Sequence, residues 1–566
     1  MQEEIKESPS DSLWIDEINR IYSAHVDGDG LYDGFDDCVW EGTNAYLWLA
    51  YPIVKEAKTR LGVCQRRTAA GGAPFDPADV ERLVVPNLLR MLKPILISTM
   101  TLELNVARIR NSLAGASGED RFRCFCDSLR QPSVRAQIIA EYPMMFRALY
   151  LRMLDWVSYS AELLDRLATD WEMIKATFGA VGVASRVVSI DAGAGDSHAR
   201  GRTVAIVTFS CGLKIVYKPR RLSLDVHFAQ LIDWINARGF APRFRQLNIL
   251  DFGSYGWTEF IAHSPCTSRD QIERFYQRLG GYLAVFYALH ACDMHFDNII
   301  SSGEFPVPVD LEALFHPDVQ SDDPAVGPTQ PSVLQVLMLP KRIYASATAT
   351  GVDISGLGAS GGQTFPAGTL RSWQGAGTDA MHLVRDQAIP MGTVRSQPML
   401  CADKVDYREF RDAFVAGFES CYRLLARNRD ELMGPRGVLA RFSGDEVRFI
   451  RRATRSYATL LDKAYHPDNL RDSTSYSCVF DILATTQPTG PHADLLADAE
   501  RRDLLNGDIP IFFASVGNCD VWTSRRERLT GVFAESPLNV VRGILRGLGD
   551  MDLDQQQKWI YASLSN

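Results

Sequence analysis

Apolar residues recur at three- and four-residue steps through the first third of the chain, as in amphipathic helices that bury one face. The pattern predicts an all-α region over residues 1–185, with long helices at residues 83–109 and 142–178. Pro86 and Pro94 should start or kink the first of these helices, because proline lacks a backbone N–H and clashes with the preceding turn. The Met- and aromatic-rich side of the second helix is interpreted as core packing.

From residue 187 the pattern changes to short runs of β-branched residues. Residues 204–210 and 213–218 form two such runs around a Cys-Gly pair, which predicts a hairpin, and a further strand is predicted at residues 257–261. The remaining periodic segments predict helices at residues 224–237, 271–290, 407–433, 444–465 and 557–564. This order of elements predicts an α+β fold with a large helical N-terminal region.

Residues 345–381 are rich in Gly, Ser and Pro and show little periodicity. A loop of this length inside a compact enzyme is usually functional or mobile. It is therefore predicted to cover a site or to hold a peptide.

Residues 290–317 carry the polar side chains that best indicate which reaction the protein catalyses. Asp293 and Asn298 are five positions apart, and Asp310 follows a turn that leads into a strand. In phosphotransferases of the protein-kinase type, a loop Asp accepts the proton of the attacking hydroxyl, while an Asn five positions later and a strand-end Asp hold Mg²⁺ ions. The spacing therefore predicts phosphoryl transfer. Its local form, Asp-x-His-x-x-Asn with Asp-Leu-Glu, is more similar to small-molecule and atypical kinases than to ordinary protein kinases.

Lys218 ends the second strand of the predicted hairpin, as the phosphate-pairing Lys of a kinase does. The next helix should supply its acidic partner, for which Asp225 and Asp233 are both candidates. The segment before the hairpin is a candidate phosphate-covering loop, because glycine lets backbone N–H groups approach an anion. Its glycines include Gly193, Gly195 and Gly201.

The composition of the chain excludes several classes of protein. The chain has 566 residues, 46% of them hydrophobic, and a formal net charge of −9, so it has no global attraction to nucleic acid. Its 11 cysteines form neither a disulfide framework nor a paired zinc-ligand pattern.

The N-terminus is acidic and polar, unlike a signal peptide, and apolar runs are shorter than the roughly 20 residues of a membrane helix. A soluble, cytoplasmic protein is expected.

The chain contains the motifs GDSHARGRTV, VYKPRRLSLDVHF, DMHFDNII, VDLEALF, GTDAMHLVR and HPDNLRD. Together they resemble the N-terminal dehydratase domain of class II lanthipeptide synthetases, the LanM type, and the similarity extends over nearly the whole chain. The resemblance implies a bilobal fold similar to lipid and protein kinases, with an added helical activation region. The corresponding units are predicted at residues 1–185, 186–265 and 266–566.

The resemblance implies that the protein uses ATP and Mg²⁺ to phosphorylate Ser and Thr side chains of a ribosomally made precursor peptide. The phosphate is then eliminated to leave dehydroalanine or dehydrobutyrine. By motif position the nucleotide-binding residues are Lys218, His198 and Gly201, the phosphorylation residues Asp293 and His295, the Mg²⁺ ligands Asn298, Asp310 and Glu312, and the elimination residues Arg448 and Thr454. The elimination base stays open, with Asp293 and Lys218 as candidates.

Two features depart from the family pattern. The synthetases continue into a zinc-dependent cyclase marked by a Cys-His pair, whereas this chain contains no Cys-His dipeptide, so thioether formation is not predicted and a separate cyclase or other tailoring enzyme would be a partner. Either an excised domain or a free-standing dehydratase, such as those resembling enzymes of proteusin-type pathways, fits the sequence. Ala453 also stands where Pro is expected beside Thr454. The alternatives are a kinase that stops at the phosphorylated peptide and a noncatalytic scaffold that binds the leader peptide.

Overall fold

The computed structural model has an α+β architecture with two large hydrophobic cores, which confirms the predicted class. One core joins N-terminal helices to a five-stranded sheet, and the other surrounds two closely packed helices further along the chain. The structure describes residues 13–24, 42–68, 73–179, 186–193, 195–317, 331–344, 351–365, 372–384, 389–401, 403–485 and 490–565.

The described part of the N-terminal region, up to residue 179, consists of helices, 3₁₀ turns and connecting loops, as the predicted all-α region requires. Its helices are α1 (Leu13–Ala24), α2 (Tyr51–Thr68), α3 (Val80–Ile109), α4 (Gly118–Ser128), α5 (Pro132–Glu141), α6 (Pro143–Thr169) and α7 (Trp171–Phe178), with 3₁₀ turns at Gly42–Trp48 and Pro77–Asp79. Pro86 does not start α3, because the helix begins at Val80 and contains both Pro86 and Pro94. The second predicted helix is two helices, α6 and α7, which meet at Asp170, where the carboxylate accepts a hydrogen bond from Trp257 Nε1 (2.8 Å).

An antiparallel five-stranded sheet packs on these helices. Its strands are β1 (Val187–Ala192), β2 (Ala205–Phe209), β3 (Lys214–Lys218), β4 (Ile249–Asp251) and β5 (Gly256–Glu259), in the order β1-β2-β3-β5-β4. The predicted hairpin is confirmed as β2 and β3, with Ala205 opposite Tyr217. The predicted helix after it is α8 (Ser223–Ala237). The largest fully buried side chains of this core include Trp156 of α6 and Trp257 of β5.

Polar side chains join α6 to residues 193–204, the glycine-rich segment between β1 and β2. Tyr159 Oη donates to the carbonyl oxygen of Thr203 (2.6 Å). Arg202 Nη2 donates to Glu162 Oε2 (2.6 Å). Because both contacts reach the same short segment, the helix determines where that segment lies.

The second core is built around α9 (Arg269–Ala288) and α10 (Arg411–Arg427), which meet at two glycines. A Cβ added to Gly280 would lie 1.9 Å from the carbonyl oxygen of Phe414, and one added to Gly417 would lie 1.9 Å from that of Gln277. The two backbones are therefore in contact, and a larger side chain at either position would push the helices apart. α9 corresponds to the helix predicted at residues 271–290.

Short strands and turns occupy the chain between these two helices. They are β6 (Ile299–Ser302), β7 (Phe305–Pro308), β8 (Arg342–Ile343), β9 (Val352–Asp353), β10 (Thr364–Phe365), β11 (Ser372–Gln374), β12 (His382–Val384), β13 (Ile389–Pro390), β14 (Met399–Leu400) and β15 (Asp403–Lys404), with 3₁₀ turns at Val333–Val336 and Tyr407–Phe410. The long loop predicted at residues 345–381 contains parts of short strand pairs, because β9 pairs with β8, β10 with β13 and β11 with β12. Residues 345–350 and 366–371 of that loop lie outside the described residues.

The last part of the chain adds helices and a four-stranded sheet. The elements are α11 (Arg429–Met433), β16 (Glu446–Phe449), α12 (Thr454–Ala464), α13 (Ser473–Cys478), α14 (Ile482–Thr485), α15 (Ala493–Leu505), β17 (Phe512–Ser515), β18 (Val521–Trp522), β19 (Arg528–Leu529), α16 (Pro537–Gly547) and α17 (Asp550–Leu564), with 3₁₀ turns at Val438–Gly444 and Pro467–Leu470. The sheet order is β16-β17-β18-β19. The helices predicted at residues 407–433 and 557–564 are confirmed as α10 with α11 and as part of α17.

The helix predicted at residues 444–465 is wrong over its first part. Residues 446–449 form β16, which pairs with β17, and α12 begins only at Thr454. Val447 and Phe449 are buried, whereas the charged residues that alternate with them are more exposed. This alternation has the period of a strand, and pairing with β17 outweighs the local helical pattern.

One helical segment of the described residues, Pro77–Ile109, is long and apolar enough to cross a membrane by length and composition alone. In the fold 61% of its apolar window is buried inside the protein. A core helix passes the same test, so the segment is a weak indication of a membrane span.

Candidate active site

A cavity of about 920 Å³ is lined by residues of the five-stranded sheet, the second core and the four-stranded sheet. Most of the predicted site residues line it, although they come from stretches far apart in sequence. They are His198, Lys218, Asp293, His295, Asn298, Asp310, Glu312, Arg448 and Thr454. The fold therefore brings the proposed phosphorylation and elimination residues into one space.

Lys218 is held between α8 and the chain that follows β7. Its Nζ lies 3.3 Å from Asp225 Oδ1 and donates to the carbonyl oxygen of Val309 (2.7 Å). Both members of the ion pair are buried. Each charge is the partner of the other, which offsets the cost of burying it. Asp233, the other candidate partner, instead accepts a hydrogen bond from Gln246. The acidic partner of Lys218 is thus Asp225.

Arg220 also belongs to the site, although no motif in the sequence indicated it. Its Nη1 donates to Asp225 Oδ2 (2.6 Å), its Nη2 lies 3.6 Å from Asp310 Oδ1, and its Nε lies 3.7 Å from Glu312 Oε2. Burial opposes its charge, but these acids outweigh burial and raise the pKa of Arg220. The one local signal was its position two residues after Lys218.

Asp293 lies in a tight turn after α9. Its φ is 65°, in the left-handed region that a non-glycine residue adopts only when its surroundings hold it there. Asn298 holds the turn, because its Nδ2 donates to the carbonyl oxygen of Asp293 (2.8 Å). His295 Nε2 lies 3.9 Å from Asp293 Oδ1. Burial raises the pKa of Asp293, and the neighbouring His295 and Arg448 oppose that rise.

Asp310 and Glu312 follow the β6–β7 hairpin and lie close to each other. Burial and the like charge of Glu312 raise the pKa of Asp310 to about 6. Burial also opposes ionisation of Glu312, but Arg448 and Arg220 outweigh it, so the pKa of Glu312 is lowered. Two acids that compete for charge in this way form a site that a cation would stabilise. Across the described ranges, this site included, no group of three or more His, Cys, Asp or Glu side chains is placed to hold a metal ion.

Arg448 and Thr454 form a hydrogen-bonded pair at the junction of β16 and α12. Arg448 Nη2 donates to Thr454 Oγ1 (2.8 Å), and Nη1 donates to Glu312 Oε1 (2.6 Å). The backbone N–H of Arg448 also donates to the carbonyl oxygen of Glu312 (2.6 Å). Ala453, which stands where Pro was expected, directly precedes α12 and leaves this pair intact. The predicted elimination residues are thus in contact with each other and with a predicted Mg²⁺ ligand.

His198 extends from the glycine-rich segment into the cavity. Its Nδ1 lies 2.9 Å from the carbonyl oxygen of Ile509. Because a carbonyl oxygen only accepts hydrogen bonds, Nδ1 carries the proton and Nε2 is left as an acceptor. Nε2 is buried and has no hydrogen-bond partner among the described residues. Burial and the nearby charge of Arg448 lower the pKa of His198, which favours the neutral ring.

Gly201 is the one predicted site residue that the structure places outside this cavity. Its φ is 73°, and its backbone N–H is directed at Asp508 Oδ1, 3.5 Å away. Gly193 and Gly195 of the same segment do line the cavity.

The family model described as "Domain of unknown function (DUF4135)" matches residues 142–515, which include every residue of the cavity discussed above. The chain belongs to this family. The DUF4135 match begins near α6, so it includes the helix that contacts the glycine-rich segment.

One curated relative is the lacticin 481/lactococcin biosynthesis protein LcnDR2 of Lactococcus lactis subsp. lactis. It is 24% identical over 515 residues, which cover 86% of this chain and 53% of the relative. The chain therefore spans about half the length of the relative it matches. Membership of the DUF4135 family together with this match confirms the resemblance to class II lanthipeptide synthetases.

Proposed function

We propose that the protein dehydrates Ser and Thr residues of a ribosomally made precursor peptide, by phosphorylating the side chain and then eliminating the phosphate. The relationship to a lacticin 481 biosynthesis protein supports a role in lanthipeptide modification. The observation that carries the proposal is that Arg448 and Thr454 share one cavity with Asp293 and that Arg448 contacts Glu312. A kinase that only transfers phosphate needs no second phosphate-binding pair beside its acidic groups.

The arrangement also supports a kinase-like bilobal fold. In this proposal, the five-stranded sheet with α8 is the first lobe and the core around α9 and α10 is the second, with the N-terminal helices as an activation region. The ion pair between a strand-end Lys and a helix acid, here Lys218 and Asp225, is the pair that orders phosphates in kinases. Lys218 and Asp225 also precede Asp293 in the chain, which is the order of the corresponding residues in kinases.

The residues of the cavity fit MgATP. Lys218 and the glycine-rich segment offer donors to phosphates, while Asn298, Asp310 and Glu312 offer oxygen ligands of the type that Mg²⁺ prefers. Burial and the like charge of Glu312 both raise the pKa of Asp310, and a divalent cation would favour the ionised form. When bound, MgATP would supply the phosphoryl group and neutralise charge on the transferred oxygens.

In the first step Asp293 would orient the Ser or Thr hydroxyl and accept its proton. Its raised pKa suits this role, because a general base works best when its pKa is closer to the working pH. Asn298 keeps the carboxyl group in place by holding the turn, since its amide donates to the Asp293 carbonyl oxygen. His295 lies 3.9 Å from the carboxylate and would flank a hydroxyl that approaches it.

In the second step the bond between Cα and its hydrogen and the bond between Cβ and the phosphate oxygen both break. The proton passes to a base, the electron pair forms the Cα–Cβ double bond, and phosphate leaves with the electrons of the C–O bond. Arg448 and Thr454 would hold the departing phosphate, which removes part of the cost of its growing charge. Asp293 and Lys218 remain the candidate bases, since both line the cavity.

Incubation of the purified protein with a precursor peptide encoded nearby, ATP and Mg²⁺, followed by mass spectrometry, tests the proposal. Loss of water from the peptide, dependent on ATP, is the expected result. A gain of phosphate with no loss of water would identify a kinase that stops at the phosphopeptide. Binding of the peptide without ATP turnover would identify a leader-binding scaffold.

A further inference from the structure

The glycine-rich segment makes its sharpest turn at Ala199, Arg200 and Gly201, whose φ angles are 46°, 68° and 73°. Two of these three are not glycine, so the turn is strained unless other contacts hold it. Consecutive residues in such a turn direct their N–H groups into a concave site that attracts anions.

Asp508 fills that concave site. Its Oδ2 accepts a hydrogen bond from the backbone N–H of Arg200 (2.5 Å), and its Oδ1 lies 3.5 Å from that of Gly201. The side chain is almost fully buried, and a carboxylate that accepts N–H bonds in a buried place binds them strongly. These N–H groups are therefore taken by the protein's own anion. The residue after Asp508 holds the other side of the turn, because its carbonyl oxygen accepts from His198 Nδ1.

Helix α6 contacts Asp508 and the residues that precede it. Arg152 of α6 is buried, with Nη2 donating to the carbonyl oxygen of Asn506 (2.9 Å) and Nη1 3.9 Å from Asp508 Oδ1. Arg147 of the same helix donates to the carbonyl oxygen of Leu505 (2.8 Å). Two arginines of one helix thus hold the end of α15 and the residues that follow it.

The same stretch of chain leads to the proposed elimination residues. β17 follows shortly after Ile509 and pairs with β16, in a register that places Phe513 opposite Arg448. Residues 506–515 therefore touch the glycine-rich turn at one end and the strand of Arg448 at the other.

We propose that Asp508 is a positioning residue for nucleotide binding, which holds the turn at residues 199–201 so that Gly195 to His198 face the phosphates. Arg152 links α6 to this turn through its contacts with Asn506 and Asp508. The inference rests on the proposed function, because it assumes that the cavity binds MgATP. It assigns to Asp508 and Arg152 an effect on nucleotide affinity although neither lines the cavity.

Isothermal titration calorimetry with AMP-PNP and Mg²⁺ tests this proposal on the full chain. Asp508→Asn keeps the shape of the side chain but removes its charge, and it should weaken binding on the order of tenfold or more, since two N–H groups lose an ionic acceptor. Asp508→Glu, which keeps the charge, should recover part of that loss. Arg152→Lys should weaken binding less than Asp508→Asn, because it keeps a positive charge on α6.

Asp503→Asn is the matched control. Asp503 is a buried acid on α15, but its carboxylate accepts from Ser524 Oγ (2.8 Å) rather than from the turn. It should bind AMP-PNP as the wild type does. Thermal unfolding of each variant checks that binding is measured on folded protein.

The outcomes separate the two proposals. Wild-type affinity in folded Asp508→Asn would overturn the positioning role and leave the proposed function standing. Equal weakening in Asp503→Asn would also overturn it, because the loss would then reflect general loosening of this region. If wild-type protein bound no AMP-PNP, the proposed function and this inference would both fail.

Discussion

Each of the two walls of the cavity is fixed in place by a different kind of interaction. The wall that carries Lys218 is fixed by buried charges, above all the contacts of Asp225 with Lys218 and Arg220. The wall that carries Asp293 is fixed by packing, because α9 and α10 touch at Gly280 and Gly417. Ion pairs can exchange partners when a charged ligand arrives, whereas closely packed backbones deform only at high cost. The wall that carries Lys218 is therefore the more adaptable of the two, and the wall that carries Asp293 is the more rigid.

Asp293→Asn, on the rigid wall, should have the largest effect on activity. An amide cannot take the hydroxyl proton, and loss of a general base slows a reaction by roughly 10²–10⁴-fold. Mass spectrometry of the precursor peptide should show it unmodified. Asp412→Asn, which changes an exposed acid at the start of α10, is the control and should leave the reaction unchanged. Phosphopeptide accumulating in Asp293→Asn would contradict the role of Asp293.

Arg448→Ala should act on the second step and leave the first largely intact. Removing one preorganised donor to a departing anion slows that step by about 10²–10³-fold, so phosphorylated peptide should accumulate. The same mass spectra measure this as a phosphate gain without loss of water. Arg455→Ala, at an exposed position of α12, should still give dehydrated peptide. If Arg448→Ala left the peptide unmodified, the division of roles between Asp293 and Arg448 would be wrong.

Gly417→Ala tests the packing that fixes the rigid wall. The new Cβ would lie 1.9 Å from the Gln277 carbonyl oxygen, and overpacking of this kind lowers the free energy of unfolding by about 1–3 kcal/mol. Gly543→Ala in α16 is the control, because its Cβ would have no atom within 4 Å. That change should raise stability by up to about 1 kcal/mol, since Ala is the better helix former. Chemical denaturation measures both, and a Gly417→Ala protein as stable as Gly543→Ala would show that the helices have room between them.

Asp310→Asn should have the smallest effect, on stability as a function of pH. The pKa of Asp310 is raised to about 6 in the folded protein, whereas it is about 4 in the unfolded chain. Between about pH 4 and about pH 6 the folded state therefore binds the proton more tightly than the unfolded state does. Stability from this group is therefore present at low pH and lost as pH rises through 6. Asp310→Asn should raise the melting temperature at pH 7 more than at pH 4. An equal shift at both values would mean that Asp310 ionises as it does in the unfolded chain.

Sequence predicted the Lys218 wall well where the signals were local. The hairpin and the position of Lys218 follow from alternation within a few residues, and the structure has both. The choice between Asp225 and Asp233 did not follow, because it depends on which side of α8 faces β3. Arg220 was missed for a similar reason, since its contacts with Asp310 and Glu312 join stretches that meet only in the folded chain.

Long-range pairing explains the other differences. Residues 446–449 carry a mixed pattern, and they become a strand because β17, much later in the chain, supplies the partner. Asp508 lies in an ordinary Gly-Asp turn sequence, and nothing near it in the sequence indicates that it reaches the glycine-rich segment. The position of Gly201 outside the cavity follows from that same contact.

Arg448 has both ends of its guanidinium engaged, one by Glu312 and the other by Thr454. A phosphate that binds at Nη1 has to displace a carboxylate that is already there. A neutral hydroxyl carries no charge with which to do so, whereas a phosphate ester carries nearly two. In the proposed dehydratase, the contact between Arg448 and Glu312 would therefore keep the guanidinium from binding a Ser or Thr side chain until that side chain has been phosphorylated.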